Sequence, residues 1–366
     1  MRIAVVGPTH PYKGGIAQHT TQLTHALGRA GHEVVLEGWR NQYPAALYKG
    51  QLTVPEDRPE IPVFPRTERL LSWNRPDSWL RVAERVAGAD VVVLVVGNAV
   101  QIAPFLTMLP VLRRRGARVV ALVHNVDPHE GHVWDEPLMR ALLQHVDAVM
   151  VHSDAQAEVA RDLGASEVRV HELPPNLGET TEVPARRRAG ADEPLDVLFF
   201  GLVRPYKGLD VLLRALPAAP GARLTVAGEF WSPKEETESL IDELGVADRV
   251  TLDDGYVASE DLPALFGRHD LVALPYRSVT GSGIIKVAYG FNRPIIVSDI
   301  GTLAEEVKGG LGLTFPPEDP AAIAEVLRRA ADPDVYNSMA EAVAARPKDL
   351  EGEWAGYVEQ LLGGRS

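Results

Sequence analysis

The sequence predicts an α/β protein built from two successive parallel-sheet halves, and three observations carry that expectation. Short β-branched runs alternate with longer helical stretches, the pattern of a parallel sheet with helices on its faces. The run DVVVLVV at Asp90–Val96 is apolar at every position after its first, as a central strand covered on both faces requires. The alternation then stops from Gly178 to Pro194 (GETTEVPARRRAGADEP), a polar and aperiodic stretch of linker composition, and restarts beyond it.

In order, the first half reads as strands at Arg2–Val6, Glu33–Leu36, Asp90–Val96, Arg118–Val123 and Ala148–Val151. The second half repeats the scheme with LDVLFFG, RLTVAGE, RVTLDD, DLVALPY and RPIIVSD, each followed by a helical stretch or a turn. The closing EGEWAGYVEQLLGG is an amphipathic helix that offers Trp354, Tyr357, Leu361 and Leu362 for packing. The expected division is therefore 1–177, a linker at 178–194, a second domain at 195–348 and a final helix at 349–366. No repeat of 20 to 50 residues and no low-complexity segment interrupts it.

Composition narrows the function. At 366 residues, 45% apolar and 24% charged, the chain has the size and balance of two ordinary globular domains rather than a fibre or a disordered tail. Thirty-seven basic against 50 acidic residues, a net charge of −13, oppose a polyanion, so no nucleic-acid partner is expected. Zero cysteines exclude disulfides, thiol nucleophiles and thiolate metal sites. The opening MRIAVVGP runs straight into a strand without a signal-peptide pattern, and no stretch of 18 apolar residues follows, so the expected location is cytoplasmic.

Open parallel sheets bind ligands beyond the carboxyl ends of their strands, and two facing halves would place a cleft there. Functional residues are therefore expected in the loops just after strands. After the first strand, Gly14 and Gly15 precede a helix starting near Ile16, where glycines admit a close ligand and the helix end attracts an anion. The spacing from Gly7 to Gly14 does not fit G-x-G-x-x-G, which removes the main support for a nicotinamide dehydrogenase.

The fourth strand ends in VHNVDPHEGH, gathering His124, Asp127, His129, Glu130 and His132 for acid–base or hydroxyl-orienting work. Without an H-E-x-x-H pattern, no metal is expected there. In the second half, Arg204 and Lys207 stand three apart in a short loop, spaced to grip a diphosphate. Thr280, Gly281, Ser282 and Gly283 open another helix and form a second anion site. The apolar segment from Ala99 to Leu112, followed by Arg113, Arg114 and Arg115, reads as a sheet-covering helix with a basic last turn. Lying against anionic lipid is the less favoured alternative.

Taken in order, GGIAQHT, HNVDPHE, VHSDAQAE, FFGLVRPYKGLDVLLRA, LTVAGE, ALPYRSVTGSG and RPIIVSDIGTLAEEV resemble the family-4 retaining glycosyltransferases of GT-B architecture. The resemblance covers nearly the whole chain. It implies two facing Rossmann-like domains with an interdomain cleft, acceptor bound by the first and nucleotide-sugar donor by the second, and a C-terminal helix crossing back. It carries Gly14 and Gly15 to the sugar diphosphate, His124 to the transferred sugar, Lys207 to the diphosphate and Glu305 to the glutamate of the family's GGLPE stretch. His10, His129, Glu130 and Trp134 are the acceptor-side candidates.

Two departures accompany the match. Leu202 stands where the family usually has an arginine, with Arg204 two residues later. The family's paired glutamates fall near Val279 or Thr280 and near Val287 or Ala288, so neither acid is present. The chain is similar to a branch that reads SG followed by an A-Y pair. The implied activity is metal-independent hexosyl transfer from a nucleotide-diphosphate sugar, UDP- or GDP-linked, to a hydroxyl of a glycan, lipid-linked or small acceptor, with retention of configuration. His124, Lys207 and Arg204 carry the chemistry, with the sugar nucleotide as co-substrate and no cofactor. The competing classes are a non-catalytic partner protein on the same scaffold, prompted by the missing glutamates, and a nucleotide-sugar epimerase.

Overall fold

A computed structural model describes the chain except for residues 45–51, 127–133, 175–182, 191, 279–282, 348 and 365–366. The chain divides into two units, Met1–Asn176 with Asp349–Ser366, and Leu177–Lys348. The first contains β1 (Arg2–Val6), α1 (Gly15–Arg29), β2 (Glu33–Asn41), β3 (Thr67–Ser72), α2 (Pro76–Val86), β4 (Val91–Val96), α3 (Ile102–Arg114), β5 (Arg118–Val123), α4 (Asp135–Leu143), β6 (Ala148–Val151), α5 (Asp154–Asp162) and β7 (Val168–Val170). The second contains β8 (Leu195–Phe200), α6 (Leu209–Ala215), β9 (Ala222–Gly228), α7 (Lys234–Leu244), β10 (Val250–Asp254), α8 (Leu262–Gly267), β11 (Leu271–Leu274), α9 (Gly283–Gly290), β12 (Ile295–Ser298), α10 (Leu303–Glu306), β13 (Gly312–Phe315), α11 (Pro320–Ala331) and α12 (Pro333–Ala344). The last helix, α13 (Leu350–Leu362), returns to the first unit.

Both sheets are parallel and share one Rossmann-like plan. The first runs β3-β2-β1-β4-β5-β6-β7, and the second β10-β9-β8-β11-β12-β13. In each, the chain leaves the first strand to one side and comes back to its other side. This reversal opens a crevice at the carboxyl ends of β1 and β4 in one unit and of β8 and β11 in the other.

The continuous apolar run of β4 is explained by its two neighbours. Val92, Leu94 and Val96 enter a core with Phe105, Met108 and Leu112 of α3, while Val91, Val93 and Val95 enter a second with Leu23 and Leu27 of α1. α3 is thus the sheet-covering helix its composition suggested. The second core is completed by Trp354, Tyr357, Val358, Leu361 and Leu362 of α13. Burying each such side chain contributes about 1.5–3 kcal/mol. α13 is also tied at both ends. The Asp349 carboxylate accepts from the Gly352 N–H at 2.8 Å, Gly363 turns left-handed at φ 79°, and Arg169 and Arg118 donate to the carbonyls of Leu361 and Leu362. Two guanidinium groups there oppose the negative end of the helix.

The expected linker needs correction. Within the segment 178–194, Val183 is buried in the second unit's core, and its carbonyl accepts from Asn292 Nδ2 at 2.6 Å. Arg186 and Arg188 both bind Asp270, at 2.9 and 3.0 Å, and Asn337 brackets the Arg188 backbone. The segment read as a linker because the acid that binds its cations lies some 80 residues away in sequence. Strands β3, β7 and β13 were also missed: TERLLS, VRV and GLTF are short or polar and hold their places by pairing at or near a sheet edge.

Candidate functional site

In the first unit the loops after β1, β4 and β5 meet at the start of α1. A Cβ on Gly97, just past β4, would lie 2.8 Å from Ile16 Cδ1, so that strand end runs close against the helix and a larger residue there would displace the Ile16 side chain. Gly14 holds φ 99°, a conformation that suits glycine, and a Cβ there would meet nothing within 4 Å. Gly15 begins the helix, no side chain caps it, and its first turn carries no acid. The positive end of this fifteen-residue helix therefore lies beside Gly14.

His124 follows β5 directly, and its N–H donates to Val96 O at 3.0 Å. Its ring lies 5.0 Å from that of His19 on α1 and 5.0 Å from that of His152, just past β6. Tyr357 and Trp354 of α13 close the cluster at 5.1 and 5.2 Å from His19. Burial holds all three imidazoles below their ordinary range, with mutual repulsion adding to it at His19 and His124; His152 falls to about 4. His152 Nδ1 lies 3.2 Å from the His171 carbonyl, so Nδ1 carries its proton. His124 is a neutral imidazole at neutral pH, a hydrogen-bonding group rather than a cation. Three rings standing together do not make a metal centre: among the described residues no group of three or more His, Cys, Asp or Glu could hold a metal ion.

The other first-unit candidates separate. His10 is buried in the loop after β1, its Nε2 3.1 Å from Glu56 O, and burial lowers its pKa. Trp134 is 56% exposed at the start of α4. His129 and Glu130, with Asp127 and His132, lie outside the described residues.

In the second unit, β8 ends at Phe200, and past Gly201 the chain enters a tight turn, Pro205–Lys207. Gly208 follows at φ 67°, where a Cβ would stand 2.0 Å from Pro275 O, so the turn is locked against the end of β11. Lys207 is 6% exposed. A Cβ on Gly201 would lie 3.2 Å from both Lys207 Nζ and Ile284 Cδ1, which places the ammonium next to the first turn of α9. Its other neighbour is the Tyr276 ring, 5.7 Å from Nζ. Among the described residues no hydrogen bond or ion pair reaches this ammonium. Burial, then the nearby Arg204, pushes its pKa down to about 7. A buried cation without an anion is costly, so this arrangement suits an anionic ligand.

Arg204 places its guanidinium 4.0 Å over the Trp231 ring. There it lines, with Ser232, Glu235 and Arg277, an open groove of about 760 Å³ whose walls do not include Lys207. Gly283 is the first residue of α9, with open space where a Cβ would be, while Thr280, Gly281 and Ser282 lie outside the described residues. Glu305 is exposed on α10 and paired with Lys308. Sequence reading passed over His19, His152 and Tyr276. Histidine five positions into the GGIAQHT helix was the available signal for the first.

Residues 13–175 match the family model described as Glycosyltransferase Family 4, and residues 194–332 the one described as Glycosyl transferases group 1. A GDP-mannose:glycolipid 4-beta-D-mannosyltransferase of Xanthomonas campestris is 29% identical over 225 residues, 59% of this chain and 61% of the relative. A D-inositol 3-phosphate glycosyltransferase of Mycobacterium tuberculosis is 29% identical over 210 residues, 53% of this chain and 44% of the relative. The chain thus spans less than two thirds of these curated relatives. Among solved structures, sucrose-phosphate synthase from Thermosynechococcus elongatus superposes with a TM-score of 0.70 at 19% identity, covering 100% of both chains. Anabaena HepE in complex with UDP gives 0.71 at 16%, covering 99% of this chain and 100% of the other. These likenesses concern the fold.

Proposed function

The chain belongs to the family-4 glycosyltransferases of GT-B architecture, and from that premise we propose that it moves a hexose from a nucleoside-diphosphate sugar to an acceptor hydroxyl, with retention at the anomeric carbon. The observation that carries the reading is Lys207, a buried ammonium with no anion among the described residues, set beside Gly201 and the first turn of α9. A departing diphosphate develops negative charge, and a preorganised cation with a helix N-terminus meets it without reorganisation, an effect worth about 3–4 kcal/mol per donor group. The acceptor hydroxyl attacks on the face the diphosphate leaves as the bond from the anomeric carbon to the diphosphate oxygen breaks, and its proton passes to that departing oxygen, which needs no carboxylate nucleophile and accords with the absence of the glutamate pair. Neutral His124, at the β5 end of the first unit, orients a sugar hydroxyl by hydrogen bonding. No metal is required when Lys207 and the helix end take the charge.

The relatives set the order of donors to try. The Xanthomonas enzyme is named for GDP-mannose and a glycolipid acceptor, and HepE was crystallised with UDP. Calorimetric titration with UDP, GDP and ADP and their sugars is expected to select one base. Lys207→Ala should weaken the selected diphosphate about 100-fold, the size of a lost charge-assisted contact. With an acceptor panel, NMR of the product should show the anomeric configuration of the donor. Inverted product would overturn retention, and binding of none of the nucleotides would overturn the reading in favour of a partner protein. Epimerised donor formed without acceptor would mark an epimerase.

A further inference from the structure

Arg277, the third residue beyond β11, reaches the Lys207 turn through several bonds. Its backbone N–H donates to Tyr206 O at 2.7 Å, and its Nη1 donates to Pro205 O at 2.6 Å. The same guanidinium grips Asp210 in the first turn of α6, with Nη1 to Oδ1 at 2.9 Å and Nη2 to Oδ2 at 2.7 Å, while Nε donates to Glu318 Oε1 at 2.9 Å. All three guanidinium nitrogens are engaged, in the planar geometry that only arginine offers. Glu318 holds φ 56°, a left-handed backbone that few residues other than glycine adopt, on the segment leading into α11. Burial alone would raise the Asp210 carboxyl, and the two bonds and the charge of Arg277 hold it below its ordinary range instead.

This network adds to the close approach of Gly208 to Pro275 in holding the turn. A buried ammonium gains by returning to water, and the three-residue turn that carries Lys207 could release it by unwinding. The Arg277 side chain takes the carbonyl of the first residue of that turn and anchors it to α6 and to the segment before α11, while its main-chain N–H takes the carbonyl of the second. We propose that Arg277, seated by Asp210 and Glu318, is the positioning residue that keeps the Pro205–Lys207 turn closed and so holds Lys207 beside Gly201 for the donor diphosphate. The proposal rests on the assignment of Lys207 to the donor, but the clamp is measurable without any ligand.

The test is trace acetylation of the full chain between pH 6 and pH 11, read by peptide mass spectrometry, with Lys234 as internal reference. In the wild type Lys207 is expected to titrate near its value of about 7. In Arg277→Gln the midpoint should rise by about two pH units toward that of a solvated lysine. Arg277→Lys keeps the charge but not the fork, and should fail to restore the wild-type midpoint. Asp210→Asn leaves the bonds to Pro205 and Tyr206 available and should give an intermediate rise, which keeps the test open if Arg277→Gln folds poorly. In parallel, calorimetry with UDP, GDP and ADP against their nucleosides should show Arg277→Gln weakening the diphosphate about tenfold and the nucleoside unchanged. A Lys207 midpoint identical to wild type in both Arg277→Gln and Asp210→Asn would overturn the clamp, whether or not nucleotides bind. Failure of the wild type to bind any diphosphate would instead overturn the donor reading, with the acetylation profile still deciding the clamp.

Discussion

Replacing Lys207 by Met is expected to stabilise the free protein while removing the grip on a nucleoside diphosphate proposed for this residue. Burial holds the ammonium at about 7 against an ordinary 10.5. At roughly 1.4 kcal/mol per pKa unit, the protonated folded state carries a cost of about 5 kcal/mol. The unfolded chain keeps this proton up to pH 10.5, whereas the folded chain releases it near 7. The cost is therefore complete below pH 7 and fades as pH rises toward 10.5, so the free protein gains stability with pH across that window. Methionine fills a similar volume without charge, and exchanging buried charges for apolar groups commonly gains about 1–4 kcal/mol. A unit of this length gains roughly 2–4 °C in Tm per kcal/mol, so Lys207→Met should melt roughly 5 °C higher at pH 7 and almost unchanged at pH 10. Scanning calorimetry at both pH values reads the difference, and GDP or UDP added at pH 7 should raise the wild-type Tm alone. A lower Tm for the variant at pH 7, or equal shifts at the two pH values, would refute the uncompensated charge.

The histidine cluster makes the first unit sensitive to acid. His152 titrates at about 4 when folded against 6.5 ordinarily, so stability present above pH 6.5 is lost as pH falls from there through 4, about 3 kcal/mol in all for this residue and about 2 kcal/mol of it by pH 5; urea midpoints at pH 7 and pH 5 measure that part, and His152→Asn should reduce the dependence. Trp354→Ala opens the core between α1 and α13 and should cost the first unit about 3–5 kcal/mol in urea unfolding followed by circular dichroism. Asp270→Ala strands the buried Arg188 guanidinium and should cost about 3–5 kcal/mol, whereas pairing Asp270→Leu with Arg188→Met should recover most of that loss in the same assay.

Much of the fold was legible because its cause is local. Arg2–Val6, Arg118–Val123 and Ala148–Val151 were read to the residue, since β-branched runs bounded by polar turns announce themselves. The final helix was legible from its apolar stripe, and Trp354, Tyr357, Leu361 and Leu362 are buried, together with Val358. Gly14, His124 and Lys207 were singled out by a positional rule, that ligands bind in the loops after parallel strands, and they lie in the loops after β1, β5 and β8. What escaped is what distant segments make together. Nothing local to Arg188 reveals Asp270, and nothing near Lys207 announces that Arg277 reaches back to Pro205 and Asp210. His19 and His152 come from helix and loop positions far apart in the chain, joined at His124 only when β5 and β6 pair.

By itself, then, the sequence determined the two-sheet plan, the absence of thiol chemistry and which loops follow the strand ends where an anion site is expected, because periodicity, composition and strand-end position are properties of neighbouring residues. Only the tertiary structure decided the protonation of those residues. Burial made Lys207 a half-neutral ammonium and the His124 cluster a set of neutral imidazoles, since desolvation depends on what the rest of the chain packs around a group.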